Sequence, residues 1–315
     1  MKNVYTLISV ILIFCMLFLP MLCIRLPGDT TLPDVPDEPD MFEVYFPDTK
    51  TTEMMEADEY IWSVVAAEMP AEYEIEALKA QAVAAYTFAC YRRSLRDRGI
   101  SDKEYDVAAD HTTDQAFITK QKAAENWGKN SEQYTAKIED AVSFVSGQKL
   151  TYNGEVILAS YYAISSGKTE NCLDIWGSDR AYLVSVESQW DKESPKYEVK
   201  TEFNEQTLKE MLKSVCEFQA SEEAFAINAR SEGGSVMSVT VCGKTIKGTE
   251  LRTLLGLRSA NFEIDYDEES KKHTITTYGY GHGIGMSQFG ANCLAKQGKT
   301  YDEILKHYYS GVAIE

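Results

Sequence analysis

The chain is predicted to have an α+β fold on three observations. Strand-like segments gather with hairpin turns and do not alternate strictly with helices, one long helix is apolar on every face, and Asn153-Gly154 has the composition of a two-residue hairpin turn. Mixed helices and antiparallel hairpins are therefore expected in one ectodomain, either single or in two lobes, behind an N-terminal membrane anchor. The expected boundaries are residues 1–25 for a cytoplasmic tip and anchor, 26–41 for a linker and 42–315 for the ectodomain. No internal repeat is visible.

Residues 4–24 (VYTLISVILIFCMLFLPMLCI) carry no charge, and about twenty apolar residues suffice for a helix to cross a hydrocarbon core roughly 30 Å thick. The run is longer than a usual signal-peptide core and lacks a following small-x-small pair. An uncleaved anchor is expected, with a cleavable signal peptide as the alternative. Lys2 before the run, Arg25 after it and the acidic stretch beyond lean toward a cytoplasmic amino terminus. Bulky Pro20, Met21 and Leu22 argue against lipidation at Cys23. Residues 26–40 (LPGDTTLPDVPDEPD), with four prolines and five acidic residues, read as an extended linker that holds the ectodomain off a membrane.

In the ectodomain, a strand is expected at Phe42–Phe46, followed by a helix through Tyr60–Ala67. Pro70 disfavours the α conformation at Met69, so this helix ends there and a second begins near Tyr73 and runs on toward Arg98. A helix over Ser131–Ser146 precedes the Asn153-Gly154 hairpin. Strands follow at Lys196–Phe203, Ser235–Cys242 and His273–Tyr278, and short helices at Glu205–Cys216, Thr249–Leu255 and Tyr301–Tyr308.

Glu68 falls at the break between the first two helices, among Ala66, Ala67, Met69 and Pro70, with no basic residue close by. Desolvation penalises an ionised carboxylate, which is how a Glu becomes a general acid near neutral pH. A plain helix-end Glu facing water is the alternative. Glu72, Glu74 and Glu76 begin the second helix, where the macrodipole favours their ionised forms. From Ala77 to Cys90 that helix is apolar all round and so is expected to be buried, leaving Lys79, Gln81 and Thr87 in need of partners. Lys79 either meets a carboxylate or a cleft, or reaches solvent along its own stem.

Net charge is −18, from 31 basic and 49 acidic residues, which argues against nucleic acid or anionic lipid as a partner. The seven cysteines, at 15, 23, 90, 172, 216, 242 and 293, have no zinc-knuckle or CxxC spacing. Mostly free structural thiols are expected, with Cys172 or Cys293 beside a His as a possible nucleophile.

Gly279 to Ala291 reads GYGHGIGMSQFGA. Glycines on both sides of His282 open backbone conformations closed to other residues. Ser287, Gln288 and Asn292 offer hydrogen bonds suited to sugar hydroxyl and acetamido groups, and Tyr278, Tyr280 and Phe289 offer faces for stacking on pyranoses. The alternative is a glycine-rich turn whose His is structural. Ala159–Glu170 (ASYYAISSGKTE) adds Tyr161, Tyr162, Ser165, Ser166, Gly167 and Thr169 as carbohydrate-cleft candidates, or else is a strand running into a polar loop.

Glu68-Met69-Pro70 with Glu76-Ala77-Leu78-Lys79-Ala80-Gln81-Ala82, and the Gly279–Ala291 segment, together resemble the two signatures of the stage II sporulation protein D family. They stand in the expected order, and weaker resemblance covers most of the chain beyond residue 55. The resemblance implies a lytic transglycosylase that cuts the β-1,4 bond between N-acetylmuramic acid and N-acetylglucosamine in peptidoglycan. It also implies a preference for strands without stem peptides, 1,6-anhydro products, and work during engulfment in sporulation beside stage II sporulation proteins P, an amidase, and M, a membrane protein. The implied location is the cell membrane, with the ectodomain outside the cytoplasm. By motif, Glu68 is the catalytic acid and base, and Lys79, Gln81, His282, Ser287 and Gln288 line the site.

Tyr86 stands where the family commonly has Arg. His111 stands in a segment, Asp110–Gln115, where some members place Cys and His ligands to zinc, but this chain has no Cys there. Neither a metal site nor a cofactor is expected. Two rival readings remain: a non-catalytic glycan-binding module like the related amidase enhancers, and a hydrolase using Ser or Cys with His282.

Overall fold

The computed structural model describes residues 40–315. The anchor and linker expected before residue 40 lie outside the described residues. Among the described residues no helix is long and apolar enough to cross a membrane. The fold is α+β, with helices packed among small sheets that are mostly antiparallel.

β1 (Met41–Phe46) and β2 (Thr51–Glu56) form a hairpin, and β3 (Val107–Ala108) adds in parallel to β1. Helix α1 (Ala57–Glu68) ends where expected, because Met69, ahead of Pro70, is extended at φ −126°, ψ 135°. The Tyr73 N–H closes a turn on the Pro70 carbonyl at 3.0 Å, so α2 (Ile75–Asp97) starts two residues later than the sequence suggests. Small residues wrap α2, and Ala77, Ala80, Ala82, Ala84, Ala85 and Ala89 are all essentially inaccessible. Helices can then pack close around it: α1, α4 (Ser131–Phe144), α8 (Gln288–Lys296) and α9 (Tyr301–Tyr308) all do, while α3 (Lys120–Trp127) packs on α4. Thr87, the buried hydroxyl of α2, donates to the Val83 carbonyl at 2.6 Å and accepts from the Leu150 N–H at 2.9 Å.

The expected hairpin is β4 (Leu150–Tyr152) and β5 (Glu155–Val156), with Asn153 and Gly154 both at positive φ, 53° and 79°. β14 (Ala313–Ile314) pairs with β4 on its other side. β6 (Tyr161–Tyr162) leads into the short α5 (Cys172–Trp176).

The chain then builds a second hydrophobic cluster around Phe203, Leu208, Val239, Leu251, Phe262 and Ile275. It comprises β7 (Glu198–Phe203), α6 (Glu205–Met211), β8 (Phe225–Arg230), β9 (Val236–Val241), β10 (Lys244–Lys247), α7 (Gly248–Leu255), β11 (Phe262–Asp267) and β12 (Lys272–Tyr278). β10-β9-β8 and β11-β12-β7 are separate antiparallel sheets. The chain returns through β13 (Met286–Ser287), which pairs in parallel with β6. Residues on both sides of this excursion, from Phe42 to Leu183 and from Ile284 to Val312, share the first cluster.

Several elements go beyond the expected pattern, four of them longer than the rest. β2 is exposed along nearly its whole length and so has no alternation to read. β11 (FEIDYD) carries acids that disfavour strands, and its pairing with β12 overrides that preference. β8 and α3 are the other two.

Candidate active site

Glu68, the last residue of α1, points its carboxyl into a cleft of about 730 Å³. Oε1 accepts the Ala116 backbone N–H at 2.8 Å, and Oε2 faces Gln288 Nε2 at 3.4 Å. Burial pushes the carboxyl above the usual carboxylate range, and these two donors only partly offset it. The backbone donor holds Oε1 at 2.8 Å while the amide of Gln288 stands off at 3.4 Å, so Oε2 is the oxygen better placed to carry the proton of the neutral acid.

The opposite wall is the glycine loop. Gly279, Gly281, Gly283 and Gly285 all have positive φ. A side chain at Gly285 would strike the Ser160 carbonyl at 2.0 Å, so only glycine lets β13 lie against the Ser160–Tyr162 backbone. His282 folds back on that backbone: its Nδ1 accepts the Ile284 N–H at 3.1 Å, which leaves Nε2 protonated and donating to the Tyr161 carbonyl at 3.1 Å. Burial first, and then Arg252, lower its pKa to about 4. The imidazole is neutral, with both nitrogens committed to backbone and its ring beside Tyr162 and Trp176 at 5.5 and 5.0 Å. His282 shares the cleft with Glu68 but has no nitrogen free to move a proton.

The other expected site residues divide into two groups. Tyr161, Tyr162 and Gln288 line the cleft. The Tyr161 hydroxyl donates to Gln115 Oε1 at 2.7 Å, and Gln115 Nε2 donates to the Tyr60 hydroxyl at 3.0 Å. Gln81 is fully buried behind the wall, its Oε1 3.4 Å from Gln288 Nε2. Lys79 turns away to Glu76 at 2.7 Å and lies over the Phe144 ring at 3.7 Å. Ser165 and Ser287 serve buried Asp191, which accepts the Ser165 N–H at 2.8 Å, the Ser287 hydroxyl at 2.5 Å and the Ser188 hydroxyl at 2.6 Å. Ser287 also caps α8 by accepting the Gly290 N–H at 3.2 Å. Ser166 donates to the Gly233 carbonyl at 3.1 Å. These serines hold the walls together and do not face the cleft.

Asp191 itself, pushed up to about 6 by burial, went unnoticed in the sequence, as did Ala116, Gln115, Trp176 and Arg252. None carries a local signal, because each matters only through a partner distant in the chain.

Nucleophile chemistry and zinc both fit poorly. Burial raises the Cys172 and Cys293 thiols, the latter to about 11, and His282 has no nitrogen to activate either. Around His111, the Asp110 carboxylate accepts from Thr112 and Thr113, and Asp114 is held by Arg92 at 2.9 Å and the Ala108 N–H at 2.9 Å. No group of three potential metal ligands converges among the described residues.

A second cavity of about 470 Å³ is lined by Phe46, Met55, Glu59 and Phe117. It contains none of the motif residues, so the cleft at Glu68 is the candidate site.

A family model described as Stage II sporulation protein matches residues 45–152. The chain is 40% identical over 271 residues to "Stage II sporulation protein D" of Bacillus subtilis (strain 168), covering 86% of this chain and 78% of that protein. It is 39% identical over 282 residues to the protein of that name from Bacillus amyloliquefaciens, covering 90% and 80%. The "Amidase enhancer" of Bacillus subtilis (strain 168) is similar at 28% identity over 303 residues, covering 80% of this chain and 39% of that protein. The chain belongs to the stage II sporulation protein D family.

Proposed function

We propose that the chain is a peptidoglycan lytic transglycosylase of sporulation, with Glu68 as its single acid and base. One observation carries this reading: Glu68 is a desolvated acid in the cleft, while Asp114, the other carboxylate on its lining, is spent on Arg92 and backbone. A glycoside hydrolase normally needs a second carboxylate as base or nucleophile. An intramolecular transfer does not.

In the first half-reaction Glu68 gives its Oε2 proton to the glycosidic oxygen as the C1–O bond breaks, releasing the N-acetylglucosamine side and leaving an oxocarbenium-like muramic acid. The resulting carboxylate is held by Ala116 and Gln288. It then takes the proton of the sugar's 6-hydroxyl as O6 bonds to C1, giving the 1,6-anhydro end and restoring the acid. Trp176 and Tyr280, 43% and 47% exposed at the cleft, offer stacking faces for pyranose rings.

The apolar N-terminal run supports attachment to the cell membrane with the ectodomain outside the cytoplasm. The family supports action on strands already stripped of peptides, beside stage II sporulation proteins P and M during engulfment. The name of the amidase enhancer relative favours a second reading, a glycan-binding module that stimulates a partner amidase.

Mass spectrometry of peptide-free glycan strands incubated with the full chain in detergent separates the readings. Anhydro ends are expected. Hydrated reducing ends would replace the proposal with a hydrolase, and intact strands with the binding module.

A further inference from the structure

Arg252 stands on the cleft wall without a part in the acid chemistry. It comes from α7, beside the second hydrophobic cluster and outside both sequence signatures, yet it shares the cleft with His282 of the glycine loop. Its Nε donates to the Leu257 carbonyl at 3.3 Å, which fixes the plane of the guanidinium. No carboxylate among the described residues pairs with it, in a chain with 49 acidic residues.

A largely buried arginine without an anion is costly unless a ligand supplies one. With Nε occupied, the two terminal nitrogens form the fork that binds a planar carboxylate end-on. The surroundings add to the positive field: Arg258 lies over the Tyr280 ring at 4.2 Å, and neutral His282 adds no competing charge.

The glycan backbone of peptidoglycan carries one kind of anion. Each N-acetylmuramic acid bears a lactyl carboxylate, which exists only where the stem peptide has been removed; on a peptide-bearing sugar it is a neutral amide. We infer that Arg252 binds the free lactyl carboxylate of N-acetylmuramic acid and thereby selects strands without stem peptides. This deepens the transglycosylase reading of the same cleft and rests on glycan binding there.

The test uses the full chain in detergent with Glu68→Gln, so that binding is measured without turnover. One probe is peptide-free glycan strands, and the other is the same strands with their carboxyls converted to carboxamides. The untreated strands should bind about ten- to a hundredfold more tightly, the range for a charge-assisted pair. Adding Arg252→Gln should bring that ratio to about one, and Arg252→Lys should retain part of it. Equal binding of the two strand types before any change at position 252 would overturn the inference, and that comparison stands even if Arg252→Gln does not fold. A ratio that persists in folded Arg252→Gln would also overturn it. Should the unsubstituted chain leave no anhydro ends while the ratio behaves as expected, the transglycosylase reading falls and the role of Arg252 stands.

Discussion

Glu68 Oε2 and Gln288 Nε2 face each other at 3.4 Å across 220 positions of sequence. Gln288 offers an N–H, which tolerates the acid either neutral or ionised, as the proposed mechanism requires of a carboxyl that gives up a proton and takes one back. Glu68→Gln should lower cleavage of peptide-free strands at least about a hundredfold, the usual share of a general acid and base. The variant should still fold. Because burial raises the acid's pKa, ionising it destabilises the native state above the ordinary carboxylate range, and the neutral amide removes that penalty. The melting temperature at pH 7 should therefore be equal or higher.

Asp191 and His282 should move acid stability in opposite directions. Asp191 titrates at about 6 when folded, against an ordinary 3.8, so the folded state binds more protons between these values and stability rises as pH falls through them. His282 titrates at about 4 against 6.5, so below 6.5 the unfolded chain takes a proton the folded one refuses, and stability falls. Denaturant titrations from pH 7 to 4 should show Asp191→Asn more acid-sensitive than the parent by about 2 kcal/mol. His282→Gln should be less acid-sensitive by a smaller amount, since its ring borders solvent.

Gly285→Ala should destabilise the protein by at least about 2 kcal/mol, because the new methyl group meets the Ser160 carbonyl in a left-handed backbone. Thermal unfolding measures it. A change under half that size would mean the parallel pairing of β13 with β6 is loose.

Gln115→Ala leaves the buried Tyr60 and Tyr161 hydroxyls without their shared amide, and should cost about 1–3 kcal/mol in denaturant unfolding. Cleavage should also weaken, mainly through KM, as Tyr161 loosens in the wall. Lys79→Ala is the contrast: its ion pair with Glu76 lies outside the cleft, so cleavage should stay within about twofold and stability within about 1 kcal/mol.

Much of the scaffold was legible because its signals are local. Pro70 ends α1, the alanines of α2 announce a buried helix, and Asn153-Gly154 makes its hairpin. Glu68 could be singled out for the same reason, since the residues that desolvate it include its own neighbours. What local pattern could not supply was the far side of each contact. The glycines around His282 suggested a displayed side chain, yet the same freedom lets the ring turn back and fasten to Tyr161 and Ile284. Lys79 occupies a motif position, but its reach is decided by Glu76 one turn earlier on the helix. Asp191 and Arg252 had no readable signature, because their roles come from segments that only folding brings together.

The first hydrophobic cluster closes only when residues from Ile284 onward join those before Leu183. During synthesis, then, Glu68 leaves the ribosome long before Gln288, the glycine loop and α9 exist to complete its surroundings. A chain ending before the glycine loop would carry the acid but no cleft, so on the proposed reading it should be inert toward glycan even with Glu68 intact.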